Sequence, residues 1–391
     1  MNRRVCVTIF LVVLGLSALE QSQTFTTLHN FTGRADGAFP EAGVIQDRAG
    51  NLYGTAALGG HLGCYSGWGC GVVYEMNTAG TETVLHSFSK PDGFMPYTPL
   101  ARDDAGNLYG TTVYGGSHDF GAVFKIDSAG NETLLHSFPG GRSDGCNPEQ
   151  GLVRDKAGNL YGTTNGCGTS GGGTLFKVDS AGNETVLHNF AGGSSDGAMP
   201  QYGHLAMDKY GNLYGLTQYG GAGAGCSSGC GVLYKLSKSG TLTVLHSFAG
   251  GASDGCYPFG SVTIDKARNL YGTTLGCGAS NGGTIWEVSK KGKKTILHSF
   301  AGRSDGCDPW AGVTRDSKGN MYGVTYGCGA NYDGALYELS ANGTLTLLHS
   351  FDSSDGLHPL GEVLRTADGT LFGTTAYGGA YGDGTAWKYV P

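Results

Sequence analysis

Long apolar runs are nearly absent from this 391-residue chain. The one present, Val5–Ala18, is shorter than the roughly 20 residues that a bilayer-crossing helix needs. Arg3 and Arg4 precede it and Glu20-Gln21-Ser22-Gln23 follows it, as in an export signal. Residues 1–23 are therefore expected to be removed. That leaves 24–391 as a single domain, secreted or periplasmic, with no membrane insertion. Charge is also scarce: Asp, Glu, Lys and Arg make up 15% of the chain, and the formal net charge is −7. No basic stripe is present, which argues against nucleic acid as a partner. No stretch shows apolar periodicity of 3.6 residues, so helices are not expected. Cys-x-x-Cys, His-Glu-x-x-His and Asp-x-Asp-x-Asp-Gly are all missing, and with them the common zinc and calcium motifs. No cofactor or metal is expected.

What the chain has in excess is glycine, 72 residues, more than double the usual share of about 7%. The glycines recur at fixed places in seven copies of one unit. Its core is Asn-Leu-Tyr-Gly-Thr, as at Asn51–Thr55, Asn107–Thr111 and Asn159–Thr163. The aromatic position is Tyr53, Tyr109, Tyr161, Tyr214, Tyr271, Tyr322 and Phe372, so the period is 50 to 57 residues. Each copy holds four strand-like runs separated by turn signals. In the third copy they are 151–155, 159–164, 173–178 and 184–190. Four short antiparallel strands per unit, seven times over, predict an all-β seven-bladed propeller. The strands are named a to d, with a nearest the axis.

The count also predicts how the ring closes. The d signature Leu-His-Ser/Asn-Phe follows six complete a-b-c sets, whereas the seventh set ends the chain on strand c. The missing strand is at the other end, Thr27-Leu28-His29-Asn30-Phe31. The N-terminal strand should therefore complete the last blade and leave no open edge.

Ten cysteines remain beyond the apolar run. Cys146–Cys167, Cys256–Cys277 and Cys307–Cys328 are each 21 apart. In each pair, one member stands just before strand a and the other just after strand b, which are adjacent points of an antiparallel hairpin. The second and seventh copies lack both members, as pairing demands. Cys64–Cys70 and Cys226–Cys230 lie inside b–c loops. Five disulfides are expected, which fits an oxidising compartment.

The sequence Asp-Gly-x-x-Pro, Gly-Asn-Leu-Tyr-Gly-Thr-Thr, Gly-x-Leu-Phe-Lys-Val, Thr-Val-Leu-His-Ser-Phe resembles the GloVer tandem repeat over about 24–391. The resemblance implies a bacterial exported protein and carries no catalytic residues. The family's varied C-terminal anchors have no counterpart after Pro391, so free secretion is the expectation. The a-b-c-d phrasing is also similar to NHL-type propellers.

Function is sought on the face that holds the d–a and b–c loops, since binding residues favour loops on a rigid scaffold. Asp-Gly and the proline three residues after that glycine are constant in all seven copies. The residue after the proline is not: Glu41, Tyr97, Glu149, Gln201, Phe259, Trp310 and Leu360. Aromatics beside carboxylates and an amide suit a saccharide, and Glu41, Tyr97, Glu149, Gln201, Phe259 and Trp310 are the candidate ligand-binding residues. The bland alternative is a plugged channel mouth. Loop residues His61, Tyr65, Trp68, His118, Asp119, Phe120, Tyr326, Tyr332 and Tyr381 are further candidates. The seven repeat Asp read as turn formers and the seven repeat His as structural. The expected function is a monomeric binding module for a saccharide or cell-surface ligand. The alternatives are a carbohydrate hydrolase or lyase using Glu41 and Glu149, and a purely structural surface protein.

Overall fold

A computed structural model describes residues 23–302 and 305–391. The expected export signal lies outside the described residues, apart from Gln23. Seven four-stranded antiparallel sheets form seven blades around an axis, with two small two-stranded sheets at their margins. No helix of the described residues is long and apolar enough to cross a membrane.

Blade 3 shows the unit: strand a is Val153–Arg154, b Leu160–Thr164, c Thr174–Val178 and d Glu184–Asn189. The glycine of Asn-Leu-Tyr-Gly stands directly opposite a c-strand aromatic, Gly162 against Phe176 and Gly54 against Tyr74. A Cβ on Gly162 would come within 2.7 Å of the Phe176 ring, so the ring tip occupies the space a side chain would need. The same pairing recurs as Gly272 with Trp286 and Gly373 with Trp387.

The d signature has an equally local cause. The c–d register shifts by one residue in every blade, between Val73 and Tyr74 in blade 1, for example. The extra residue is the leucine of Leu-His-Ser-Phe, a β-bulge that turns the next side chains. The histidine then meets the Asp of Asp-Gly: His136–Asp144 at 3.1 Å, His188–Asp196 at 3.0 Å, His298–Asp305 at 2.9 Å. The Ser or Asn that follows accepts a backbone N–H from the b–c loop, as Ser87 does from His61 at 2.8 Å. The Phe is fully buried between blades. Clusters such as Phe248 with Trp286, Val262 and Leu270 span two blades, so each sheet face is covered by its neighbour.

Ring closure is as the strand count predicted. Thr24–Asn30 pairs antiparallel with Thr385–Val390 as the outer strand of blade 7. Phe31 and Ala386 then pack with Val44, Leu52 and Tyr74 across the seam to blade 1.

At the axis the seven a strands touch. A Cβ on Gly203 (φ +71°) would lie 2.2 Å from the Gly260 backbone, so only glycine fits at this approach. The cavity left on the axis at this level is about 30 Å³, room for one or two waters at most. The channel is therefore pinched, and its two mouths are separate places.

Candidate functional site

The upper mouth, on the d–a and b–c face, is built on a strained collar. The residue before the constant proline has positive φ in all seven blades: Phe39, Met95, Asn147, Met199, Tyr257, Asp308 and His358, from 53° to 60°. Non-glycine residues rarely hold this conformation. Each is over-determined by the neighbouring blade. The Phe39 N–H donates to the Asp383 carbonyl at 2.9 Å, and its carbonyl accepts the Ala57 N–H at 3.1 Å. Met95 repeats this with Cys70 and Val113. The collar thus clips blade to blade and turns variable side chains toward the mouth.

All five disulfides are formed, with Cα separations of 4.9 to 5.3 Å. Cys146–Cys167, Cys256–Cys277 and Cys307–Cys328 pin d–a loops to b–c loops of their own blades. Blade 2, which has no disulfide, places Phe94 and Tyr114 there as stacked rings 5.4 Å apart.

Glu41 and Tyr97 share a cavity of about 250 Å³ with Phe39, Tyr65, Trp68 and Tyr377. Trp68 and Tyr65, from the first b–c loop, are 59% and 54% exposed there. Burial, and secondarily the Glu149 carboxylate, push Glu41 up to about 7. Burial raises Glu149 as well, against a 3.0 Å hydrogen bond from Asn165. Tyr97 is also raised, by burial first and then by Glu41. A carboxyl poised between its two states can donate or accept a hydrogen bond at neutral pH.

The far side of the mouth is aromatic. Tyr202 stacks on Phe259 at 5.2 Å and meets Trp310 edge-on at 5.3 Å. Trp310 continues to Tyr326 at 5.6 Å, which stacks on His358 at 4.2 Å. Phe259, expected to face a ligand, is only 2% exposed and lies beneath Tyr202 and Trp310. The Gln201 backbone carbonyl accepts the Gln150 side-chain amide at 3.4 Å. The next residue, Tyr202, packs on Phe259 and Trp310, and blade 4 has nine residues from Pro200 to Asp208 where blade 3 has eight from Pro148 to Asp155. That extra residue was visible in the sequence. So was the variability of the collar residues, the second x of Asp-Gly-x-x-Pro.

Tyr332 and Tyr381 are exposed at loop tips. Among the described residues, no three His, Cys, Asp or Glu side chains gather as a metal site. Gly-x-Ser-x-Gly strings do occur, among them Gly141–Gly145, Gly168–Gly172, Gly193–Gly197, Gly225–Gly229, Gly251–Gly255 and Gly278–Gly282. Their serines lie in loops between strands, not at the strand-to-helix turn that makes such a serine a nucleophile.

The sequence model of the Gloeobacter/Verrucomicrobia repeat matches residues 16–157, 66–263, 133–302 and 222–391. The chain belongs to the Gloeobacter/Verrucomicrobia repeat family. Its successive matches tile the propeller described above. No curated protein matches the chain in sequence. Among solved structures, this repeat protein is similar to the extracellular domain of a proposed one-component system from B. thetaiotaomicron. The TM-score is 0.58 at 10% identity, over 93% of this chain and 40% of that one. A proposed hybrid two-component system of the same organism gives 0.56 at 13% identity, over 94% and 41%, again through its extracellular domain. A proposed 6-phosphogluconolactonase from Bacteroides uniformis gives 0.51 at 16% identity, over 78% and 84%. At these identities the likeness is one of fold.

Proposed function

We propose that this repeat protein is an exported binding module that takes a saccharide at the upper mouth. The observation that carries the reading is the cavity of about 250 Å³ in which exposed Trp68 and Tyr65 flank the Glu41 carboxyl. Aromatic faces suit the apolar faces of sugar rings, and Glu41 and Glu149 suit their hydroxyls. Five disulfides agree with export to an oxidising compartment. Glu41 near 7 favours a second reading, a glycoside hydrolase with Glu41 as general acid and Glu149 as its partner.

The test is retention of mature oxidised protein on insoluble polysaccharides and bacterial cell walls, beside a Tyr97→Ala/Trp310→Ala variant. The released fluid is read by mass spectrometry. Retention lost in the variant, with no released sugar, establishes a binding module. Released fragments move the role to catalysis. No retention by either protein removes the saccharide.

A further inference from the structure

The lower mouth, on the face of the a–b turns, carries a separate polar cluster. Two residues after each Glu41-type position, the chain has Gly43, Pro99, Gly151, Ser261, Gly312 and Glu362; the added residue of blade 4 puts His204 at this level. Four of the seven blades therefore present glycine or proline to the axis. The three functional side chains come from blades 4, 5 and 7, and they meet. Ser261 Oγ is 2.6 Å from His204 Nδ1 and accepts the His204 N–H at 3.0 Å. Glu362 Oε2 reaches the same Nδ1 at 3.4 Å from across the ring.

His204 and Glu362 border a cavity of about 250 Å³ whose walls include Val44, Leu100, Leu152 and Val363. His204 is 38% exposed there, whereas Ser261 is 1% exposed. Ser261 is thus too buried to attack a ligand and instead fixes the imidazole. Ser261 Oγ bonds Nδ1 and the Glu362 carboxylate, which can only accept, lies 3.4 Å from it, so the Nδ1–H tautomer is the one assigned to His204. Nε2 is left as a bare acceptor, with no partner among the described residues. One imidazole and one carboxylate are too few for a structural zinc, which takes four ligands.

We propose that the lower mouth is a second site, for a small neutral hydroxy compound of one-ring size, with His204 Nε2 accepting its O–H. Size follows from the volume, since a cavity of ~150 Å³ already holds benzene. The apolar walls disfavour a sugar, whose many hydroxyls would go unpaired. The Glu362 carboxylate beside the ring disfavours an anion. Arg365 borders the cavity, but its guanidinium lies 5.2 Å over the Tyr322 ring. This inference does not rest on the saccharide reading of the other mouth.

The probe is p-cresol, titrated into the full mature protein while the histidine ring signals are followed by NMR. The His204 signal is assigned from its absence in His204→Gln. Saturable movement of that signal is expected, with toluene binding at least about tenfold more weakly for want of the hydroxyl. Glu362→Gln should weaken p-cresol about tenfold while the melting temperature is checked separately. A His204 signal that stays still to the limit of p-cresol solubility overturns the proposal. So does toluene binding as tightly as p-cresol, a comparison made entirely on the wild-type protein.

Discussion

The two mouths of the channel are built from the same seven repeats but held in different ways. The upper mouth is clipped by five disulfides and by collar residues at positive φ, each bonded to the neighbouring blade. The lower face is held within each of blades 1 to 6 by an Asp-Asn-Tyr clasp. Asp155 accepts the Asn159 side chain at 2.7 Å and the Tyr161 hydroxyl at 3.1 Å, and Asp103 does the same with Asn107 and Tyr109. Blade 7 has Thr366, Thr370 and Phe372 at these places, so the hydroxyl disappears together with its acceptor. Where a side chain holds the repeat together, all or nearly all copies agree. Where nothing in the blade needs it, as after the proline, the copies diverge and chemistry can be placed.

The largest expected effect removes both mouths at once. Deleting residues 24–32 strips blade 7 of its outer strand, removes Phe25 and Phe31, and uncovers Phe351, Trp387 and Tyr74 beneath them. The melting temperature should fall by more than about 10 °C. An unchanged melting curve would mean the ring closes otherwise. Reduction should separate the two faces. Each disulfide stabilises by roughly 2–4 kcal/mol, so a thiol reductant should lower stability and loosen the upper mouth first. Hydrogen exchange should rise in the d–a and b–c loops before it rises in the a–b turns. The reverse order would contradict the division.

The clasps and Glu41 respond oppositely to pH. At the clasps burial raises Asp47, Asp103, Asp155, Asp208 and Asp265, but bonds from Asn, Tyr and backbone N–H groups outweigh it and leave them below the usual 3.8. Their stabilisation is present above pH 3.8 and is lost as pH falls through the lowered values. Glu41 runs the other way: its folded value, about 7, exceeds the ordinary 4.5. Its contribution is present below 4.5 and is lost as pH rises toward 7. Glu41→Gln should therefore gain in melting temperature over wild type as pH rises from 4.5 to 7, and stay level above that. A constant difference across that window would show that Glu41 is not raised. The smallest effect on stability is expected from Trp68→Ala, within about 0.5 kcal/mol, because the ring is mostly in solvent. Its cost should appear in ligand binding alone.

Much of this was legible in the sequence because repeats compare themselves. Five copies of Asn-Leu-Tyr-Gly with two close variants, and six plus one of Leu-His-Ser/Asn-Phe, gave the blade number, the strand order and the closing strand. Cysteines lost in pairs gave the disulfides. Side-chain direction was harder to read. Phe259 follows the proline like Glu41 and Tyr97, yet it is buried, because Tyr202 from the lengthened blade 4 covers it. The collar was missed because a residue before proline is expected to be extended, and only the inter-blade hydrogen bonds explain its positive φ. The meeting of His204, Ser261 and Glu362 was hidden by sequence separations of 57 and more than 100 residues.

The most direct test of the central claim sets the two mouths against each other in one binding measurement. The dissociation constant of a soluble oligomer of the retained polysaccharide is determined for wild type, Trp68→Ala/Tyr97→Ala and His204→Ala. The upper-mouth variant should weaken binding by about tenfold or more, as loss of aromatic anchors does, with His204→Ala equal to wild type. Loss of affinity in His204→Ala, with the upper-mouth variant unchanged, would contradict the account.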